Sequence, residues 1–472
     1  MSGEDVSLLR RPIVWGAVVL AALLGGIMTY AYVGAFVDPI SELHGLPMGL
    51  VVLDRPADAA GVTVAVGAQL QAELTAPAAP GAATSPVTWE VLPTRQAAVD
   101  ALNDNRLVGA IVIPAEVSAE VVAIGTSLGT APPAGIEVLR NPGAGSLQPA
   151  VVDRVATRVV DDLSTAVSTQ LTSTLAGLQV QVSPTAVDSL ARPITAATTD
   201  VPALGGTSGR GLPPFYVAVM ITLTGVIGAT VLHVLAGAAI GREHLHFLGR
   251  DAHVRTVRRD PLARWRAEAL IAVPLSVLGG LAVVGTAVGI VGAEAQRPWA
   301  AALFAVLGVL AITEFALAML TAFGTAGDLV VLLVTTIFGV PSARGVYPAE
   351  AIPRLFVRLG DVLPLRFLTD GMRSLFFFGG RAQLGAGITG MLVWAVGSIV
   401  LGAAIAEASA RRWGVEPVES GRDPVRAAGQ RGVASTSGEE FGVGPAFDDL
   451  TGFDDEDLVG GPDGGEPVGD HE

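Results

Sequence analysis

Apolar positions in this chain follow two patterns. In the first they run without interruption: Pro12 to Phe36, Phe215 to Ile240, Ala267 to Val291, Trp299 to Phe323 and Ala386 to Ala408. At 1.5 Å of rise per residue each run is long enough to cross a hydrocarbon core of about 30 Å as a helix. A sixth run, Leu329 to Val340, is short and stops at Pro341-Ser342. It is either tilted and extended by Thr321 to Asp328 or part of a broken span, which lipid tolerates only where other protein covers the freed backbone.

The second pattern fills the interval after Phe36. Gly49 to Asp54, Val87 to Val91, Val108 to Pro114 and Gly135 to Leu139 are short apolar runs bounded by turn residues, as strands are. Helical spacing lies between them at Val62 to Leu74, Arg95 to Asp104 and Ala115 to Ile124. A mixed or parallel sheet in a small α/β domain follows. Ala76 to Pro86 reads as a loop. Val155, Val159, Leu163, Val167, Leu171 and Leu175 then recur every fourth position, predicting a long helix whose stripe winds slowly around its axis. Such a helix serves as a stalk, faces a partner, or packs on its own domain. Ser183 to Gly211, rich in Pro, Thr and Gly, reads as a tether back to the spans.

Composition agrees with lipid. Of 472 residues 51% are hydrophobic and 15% charged, more apolar than a soluble chain of this size requires. The net charge of -15 belongs mostly to the end of the chain, where Trp413 to Glu472 carries fifteen acids against Arg422, Arg426 and Arg431. That acidic, Gly-rich tail has no periodicity and reads as disordered. Phe447, Leu450 and Phe453 stand among its acids as a docking motif or as part of a plain solvated tail.

Arginines orient the spans, because basic residues beside a span are retained in the cytoplasm. Arg10 and Arg11 hold the N-terminus inside, the seven arginines of Gly241 to Arg266 hold that loop inside, and Arg411 and Arg412 hold the C-terminus inside. The three agree only for an even number of crossings. Val33-Gly34-Ala35 would suit signal cleavage, but the first apolar run exceeds a signal core of about 7 to 15 residues, so an uncleaved anchor is expected.

The fold expected is therefore an α-helical polytopic membrane protein of six transmembrane helices, with an α/β extracytoplasmic domain inserted between the first and second spans. Its parts are a cytoplasmic N-terminus (1–11), the first span (12–36), the α/β domain with long helix and linker (37–212), five further helices (213–410) with a cytoplasmic loop (241–266) and an outer re-entrant segment (341–380), and the acidic cytoplasmic tail (411–472). The expected location is the plasma membrane.

Gly324-Thr325-Ala326-Gly327, Pro341-Ser342, Gly345-Val346-Tyr347-Pro348, Ile352-Pro353, Leu363-Pro364-Leu365, Gly371-Met372-Arg373 and Phe378-Gly379-Gly380 follow one another in an order and spacing that resemble the ABC type-2 exporter permeases. The likeness is strongest to their phage-infection-protein branch (DUF3533). Val51 to Asp54, Arg106 to Pro114 and Gly209 to Phe215 are similar to the same branch. The likeness runs from about Val14 to Trp413 and departs at Leu53-Asp54-Arg55, where the usual Asn and Glu are missing.

The resemblance implies one half of a homo- or heterodimeric exporter for an amphipathic molecule, lipid or polymer, driven by a separate cytoplasmic ATP-binding subunit. Composition bears on this independently. All 29 basic residues are arginine, and a Walker A loop needs a lysine on the phosphates. The chain is therefore expected not to be an enzyme, and no cofactor is implied. Having no cysteine, it has no thiolate chemistry or Cys-ligated metal.

Gly241 to Arg266, with Arg250, Arg255, Arg258 and Arg259, sits where such permeases place the helix on which the ATPase acts. A topology-setting basic loop fits the same residues. His244 and His246 do not share a helical face, so no metal site is expected with Glu243 and His253. Glu314 lies inside the fourth span, where a carboxylate is costly and faces the bundle or a wet cavity. Its candidate role is the translocation path, with His233 as a second member; structural pairing is the other reading. Pro341, Gly345, Pro348, Pro353, Pro364 and Arg373 belong to a candidate outer gate, a turn and two short helices dipping into the membrane. Arg354, Arg358, Arg366 and Arg373 there suit lipid phosphate, polar substrate or surface anchoring. No nucleic-acid partner is indicated. A non-transporting scaffold or surface receptor working through the outer domain is the competing function. A membrane enzyme is disfavoured, since no catalytic constellation stands out.

Overall fold

The computed structural model describes residues 45–59, 62–76, 85–127, 130–177, 187–239 and 260–412, with two short pieces at 246–247 and 250–251 and five helical positions between 19 and 29. Almost all of the first span, the loop at 77–84, most of the basic loop and the acidic tail lie outside the described residues.

Strand β1 (Leu46–Val52) is followed by a hairpin of β2 (Ala57–Ala59) and β3 (Val62–Val64), then α1 (Val66–Leu74), β4 (Val87–Leu92), α2 (Arg95–Asn103), β5 (Gly109–Ile113), α3 (Val117–Thr126) and β6 (Ala134–Arg140). A 30-residue helix α4 (Gln148–Gly177), a short α5 (Val187–Ala191) and β7 (Ile194–Asp200) complete this layer. The sheet order is β4-β1-β5-β6-β7, parallel except where β5 meets β6. β1 and β5 are buried along nearly their whole length, as inner parallel strands must be.

Two expectations need correction. The helix expected from Val62 begins at Val66, because Val62-Thr63-Val64 is β-branched and pairs with residues 57–59. The segment expected to be a tether contains α5 and β7. Long helix α4 packs on its own sheet: Leu163, Val167 and Leu175 are buried, and Val151, Val152, Ala156 and Val160 widen the stripe that covers the core.

The strand end at Leu53-Asp54-Arg55 has a structural use. The Asp54 carboxylate, just past β1, accepts the N–H of Gly67 (2.8 Å), the N–H of Ser118 (2.9 Å) and the Ser118 hydroxyl (2.6 Å). The Ser118 hydroxyl oxygen in turn accepts the N–H of Val66 (3.0 Å). One acid thus closes the first turns of both α1 and α3, where free N–H groups and the helix dipole favour negative charge. Asp54→Ala is expected to destabilise the α/β layer by about 2 kcal/mol, read as earlier proteolysis within 45–201 in a urea series. Unchanged protection would remove Asp54 from this role.

Beyond Gly211 the described residues are mainly helical: α6 (Pro213–Ala239), α7 (Pro261–Val284, carried on to Ile290 by a wider π turn), α8 (Pro298–Phe323), α9 (Gly327–Leu332) running through a second π turn into α10 (Gly339–Ser342), then α11 (Arg354–Gly360), α12 (Pro364–Phe377) and α13 (Leu384–Arg412). Among the described residues four runs are long and apolar enough to cross a membrane: Pro213–Gly237, Pro261–Ile290, Pro298–Ser342 and Leu384–Arg411. In an apolar stretch of 18 residues from each, 78% of the third run's residues are buried against 22% for the second and fourth, which makes α8 the central helix. Small residues bring its neighbours close: a Cβ on Gly280 of α7 would fall 2.5 Å from the Val306 backbone nitrogen.

The Pro298–Ser342 run is not one straight helix. Gly324, at φ +61°, ends α8, and Gly327 folds back against the Met319 carbonyl. Thr230, late in α6, donates to Asp328 (3.0 Å), whereas Gly345 lies against the ring of Phe215 at the start of α6. Residues 327–342 therefore run back along the length of α6. Sixteen residues rise only about 24 Å, which explains the short apolar run. At the other boundary, the expected loop 241–266 ends at Asp260. Its carboxylate accepts the Leu262 N–H (3.0 Å) with Pro261 in the first turn, so Arg264 and Arg266 are already helical.

Candidate functional site

Three charged places lie along the helical bundle, and the candidate residues divide among them. The first is the turn between α10 and α12, next to the α/β layer. Arg344 takes φ +54° there, and a Cβ on Gly345 would lie 2.0 Å from the Phe215 ring, so only glycine fits. Arg373 of α12 reaches this turn with a side chain only 5% exposed, and its Nη2 donates to the carbonyls of Arg344 (2.9 Å) and Gly345 (3.2 Å).

Charges then alternate through the segment. Arg373 faces Asp370 (3.7 Å), Asp370 faces Arg366 (3.4 Å), Arg366 binds Asp361, and Asp361 faces Arg344 (3.4 Å). Burial, and next the neighbouring Arg366, lower the Arg344 guanidinium from its ordinary value, while burial raises the Glu350 carboxyl. The turn, α11 and α12 are thus tied by an ionic chain rather than by a core alone.

The prolines set the limits of these elements. Pro341 lies in α10, Pro348 precedes a 3-10 turn at Ala349–Ala351, Pro353 precedes α11, and Pro364 occupies the first turn of α12 where its missing N–H costs nothing. Tyr347, Ile352 and Phe356 form a small core with Leu147 of the α/β layer. Further contacts seat that layer on the bundle: Asn105 donates to Gln383 just before α13 (3.2 Å), the ring of Phe378 leaves no room for a Cβ on Gly143, and Gly205 N–H donates to Glu294 between α7 and α8 (2.8 Å).

The second place is Glu314, in the middle of α8. It is 1% exposed, and its Oε2 has no hydrogen-bond partner among the described residues. An acid without a partner at that depth needs water or a polar ligand beside it.

The third place lies at the opposite end from the α/β layer. His233 of α6 and Arg264 of α7 both hold Glu268, at 3.1 and 2.7 Å, and Arg264 also donates to the His233 carbonyl (2.8 Å). Glu268 is 1% exposed. Trp265, one residue on from Arg264, seats its ring against Gly402 of α13. His233 therefore belongs to a joint between helix ends, and no contact among the described residues links it to Glu314.

Arg250 stands in a two-residue strand opposite Phe247, its side chain outside the described residues, as are Arg255, Arg258 and Arg259. His244 and His253 lie outside them too. Among the described residues no three metal-ligating side chains cluster. Sequence reasoning missed Asp361, Asp370 and Glu268. The four-residue spacings Arg264–Glu268 and Arg366–Asp370 were the available signal.

A family model described as an ABC-2 family transporter protein matches residues 13–404. No curated protein and no solved structure matches the chain.

Proposed function

The chain belongs to the ABC-2 transporter family, and from that premise we propose that it is the permease subunit of an exporter whose ATP hydrolysis is supplied by a separate cytoplasmic subunit. The match over residues 13–404 carries this reading. Within the family we assign it to the phage-infection-protein branch, on the order of motifs from Gly324 to Gly380 and the α/β layer ahead of α6. The absence of lysine supports a partner ATPase, since the phosphate-binding loop cannot be built from this chain.

In this reading Pro12 to Phe36, α6, α7, α8, residues 327–342 and α13 make six crossings of the plasma membrane. Both termini and the basic loop face the cytoplasm, where the arginines are retained. The α/β layer then lies outside, seated on the segment 341–380 as outer gate. Glu314 lines the path, the arginine-rich loop before Asp260 receives the ATPase, and two permease subunits enclose a route for an amphipathic molecule, lipid or polymer.

The test is co-purification from native membranes in mild detergent, followed by mass spectrometry. A stoichiometric nucleotide-binding ATPase is expected, lost when Arg255, Arg258 and Arg259 are changed to glutamate. Recovery of extracellular or secretion proteins without an ATPase would replace the exporter by a scaffold.

A further inference from the structure

Strand β7 stands at one end of the sheet, and no described strand pairs with its outer side. The Pro193 carbonyl accepts from Ala134 N–H and Val201 N–H donates to the Arg140 carbonyl. Strand residues alternate, so Thr195, Ala197 and Thr199 also turn their backbone groups toward β6. Ile194, Ala196, Thr198 and Asp200 therefore direct theirs away from the sheet. Every residue from Thr195 to Asp200 is exposed.

Such an edge is normally guarded by lysines, bulges or internal proline. Here Thr195-Ala196-Ala197-Thr198-Thr199 is small, neutral and β-branched in three of five positions, and the one charge, Asp200, meets Arg140 through Oδ1 alone (2.8 Å), with no partner on its Oδ2 among the described residues. Pro193 and Pro202 stand just outside the strand and limit any added ladder to its own length.

We propose that a second copy of this chain adds its β7 antiparallel to this edge, joining the two sheets into one. The inference rests on the dimeric permease reading and names where the outer layers of the two subunits meet. Charge selects both the occupant and the direction. Exposed Arg192, with no ion pair among the described residues, precedes the strand and Asp200 ends it. Antiparallel pairing centred on Ala197 sets Ala196 opposite the partner subunit's Thr198 and Ile194 opposite the partner subunit's Asp200. Arg192 then lies diagonal to the same partner's Asp200 at both ends of the ladder. The outward-facing residues meet as hydrogen-bonded pairs, giving about eight new backbone bonds, and Ala197 meets its symmetry mate as a non-hydrogen-bonded pair with Cα atoms about 4.5 Å apart. That separation is within reach of a disulfide.

Because the chain contains no cysteine, single substitutions report without background. Ala197→Cys, oxidised in membranes, is expected to double the apparent mass on a non-reducing gel, reversibly with reductant. Ala196→Cys and Thr198→Cys should link far less alone than together, and Glu120→Cys, exposed elsewhere, should not link. Equal linking from all positions, or linking of Ala197→Cys to a different protein, would overturn the proposal. So would no linking from Thr195 to Asp200. In that last case native mass separates the two readings: two copies per particle leave the dimer standing with another interface, and one copy removes both.

Discussion

Arg373→Met is expected to lower the stability of the full chain in detergent by about 3–5 kcal/mol, because it removes one partner from a buried ionic chain and leaves the rest in place. The Arg373 side chain is 5% exposed and Asp370 13%, so water cannot readily replace the lost guanidinium. The carbonyls of Arg344 and Gly345 lose their shared donor as well, and an unmet buried acceptor is costly. Gly345 is pressed on Phe215, so the turn has little freedom to find another donor. Heat challenge followed by size exclusion would read the loss. Adding Asp370→Leu to Arg373→Met should recover little of it, since Asp370 still faces Arg366 (3.4 Å) and the carbonyls of Arg344 and Gly345 stay without their donor. If Arg373→Met survives heating like the parent, the segment is held by its apolar contacts and the ionic chain is incidental.

The apolar runs were legible because lipid imposes a length and composition that nothing else in the chain imitates, and α6, α7, α8 and α13 lie where those runs are. The strands of the α/β layer were legible where they are buried. β5 is buried throughout and its run of Val and Ile is unmistakable. β7 was not legible for the opposite reason: with six of seven residues exposed it shows no hydrophobic alternation, and the sequence Ile-Thr-Ala-Ala-Thr-Thr-Asp reads as linker. Segment 341–380 was readable as a turn and two helices because prolines mark helix starts. Its ionic chain was hidden, since Asp361 and Arg344 stand seventeen positions apart and only the fold of the segment joins them. Glu268 was overlooked because it begins an apolar run, and its partner His233 lies on another helix.

Glu268→Gln should cost about 3 kcal/mol or more, and for a reason that bears on transmission through the bundle. Glu268 is held on one side by Arg264, four residues earlier on its own helix, and on the other by His233 across the gap to α6. Arg264 closes the triangle by donating to the His233 carbonyl. The last described turns of α6 and the first turns of α7 are thus clamped together, and Trp265 passes the clamp on to α13 through Gly402. Neutral Gln keeps the shape but leaves the Arg264 guanidinium, 12% exposed, without its counter-charge, the costly way to break a buried pair. The double variant Arg264→Met with Glu268→Leu should regain stability, because apolar groups of similar volume replace the ions. If the loop receives the ATPase, these two proteins separate stability from coupling: the double variant, though stable, should bind the ATPase yet stimulate it less than the parent does. Full stimulation in the double variant would mean that the clamp only holds the helices together, and that force reaches α13 by another path.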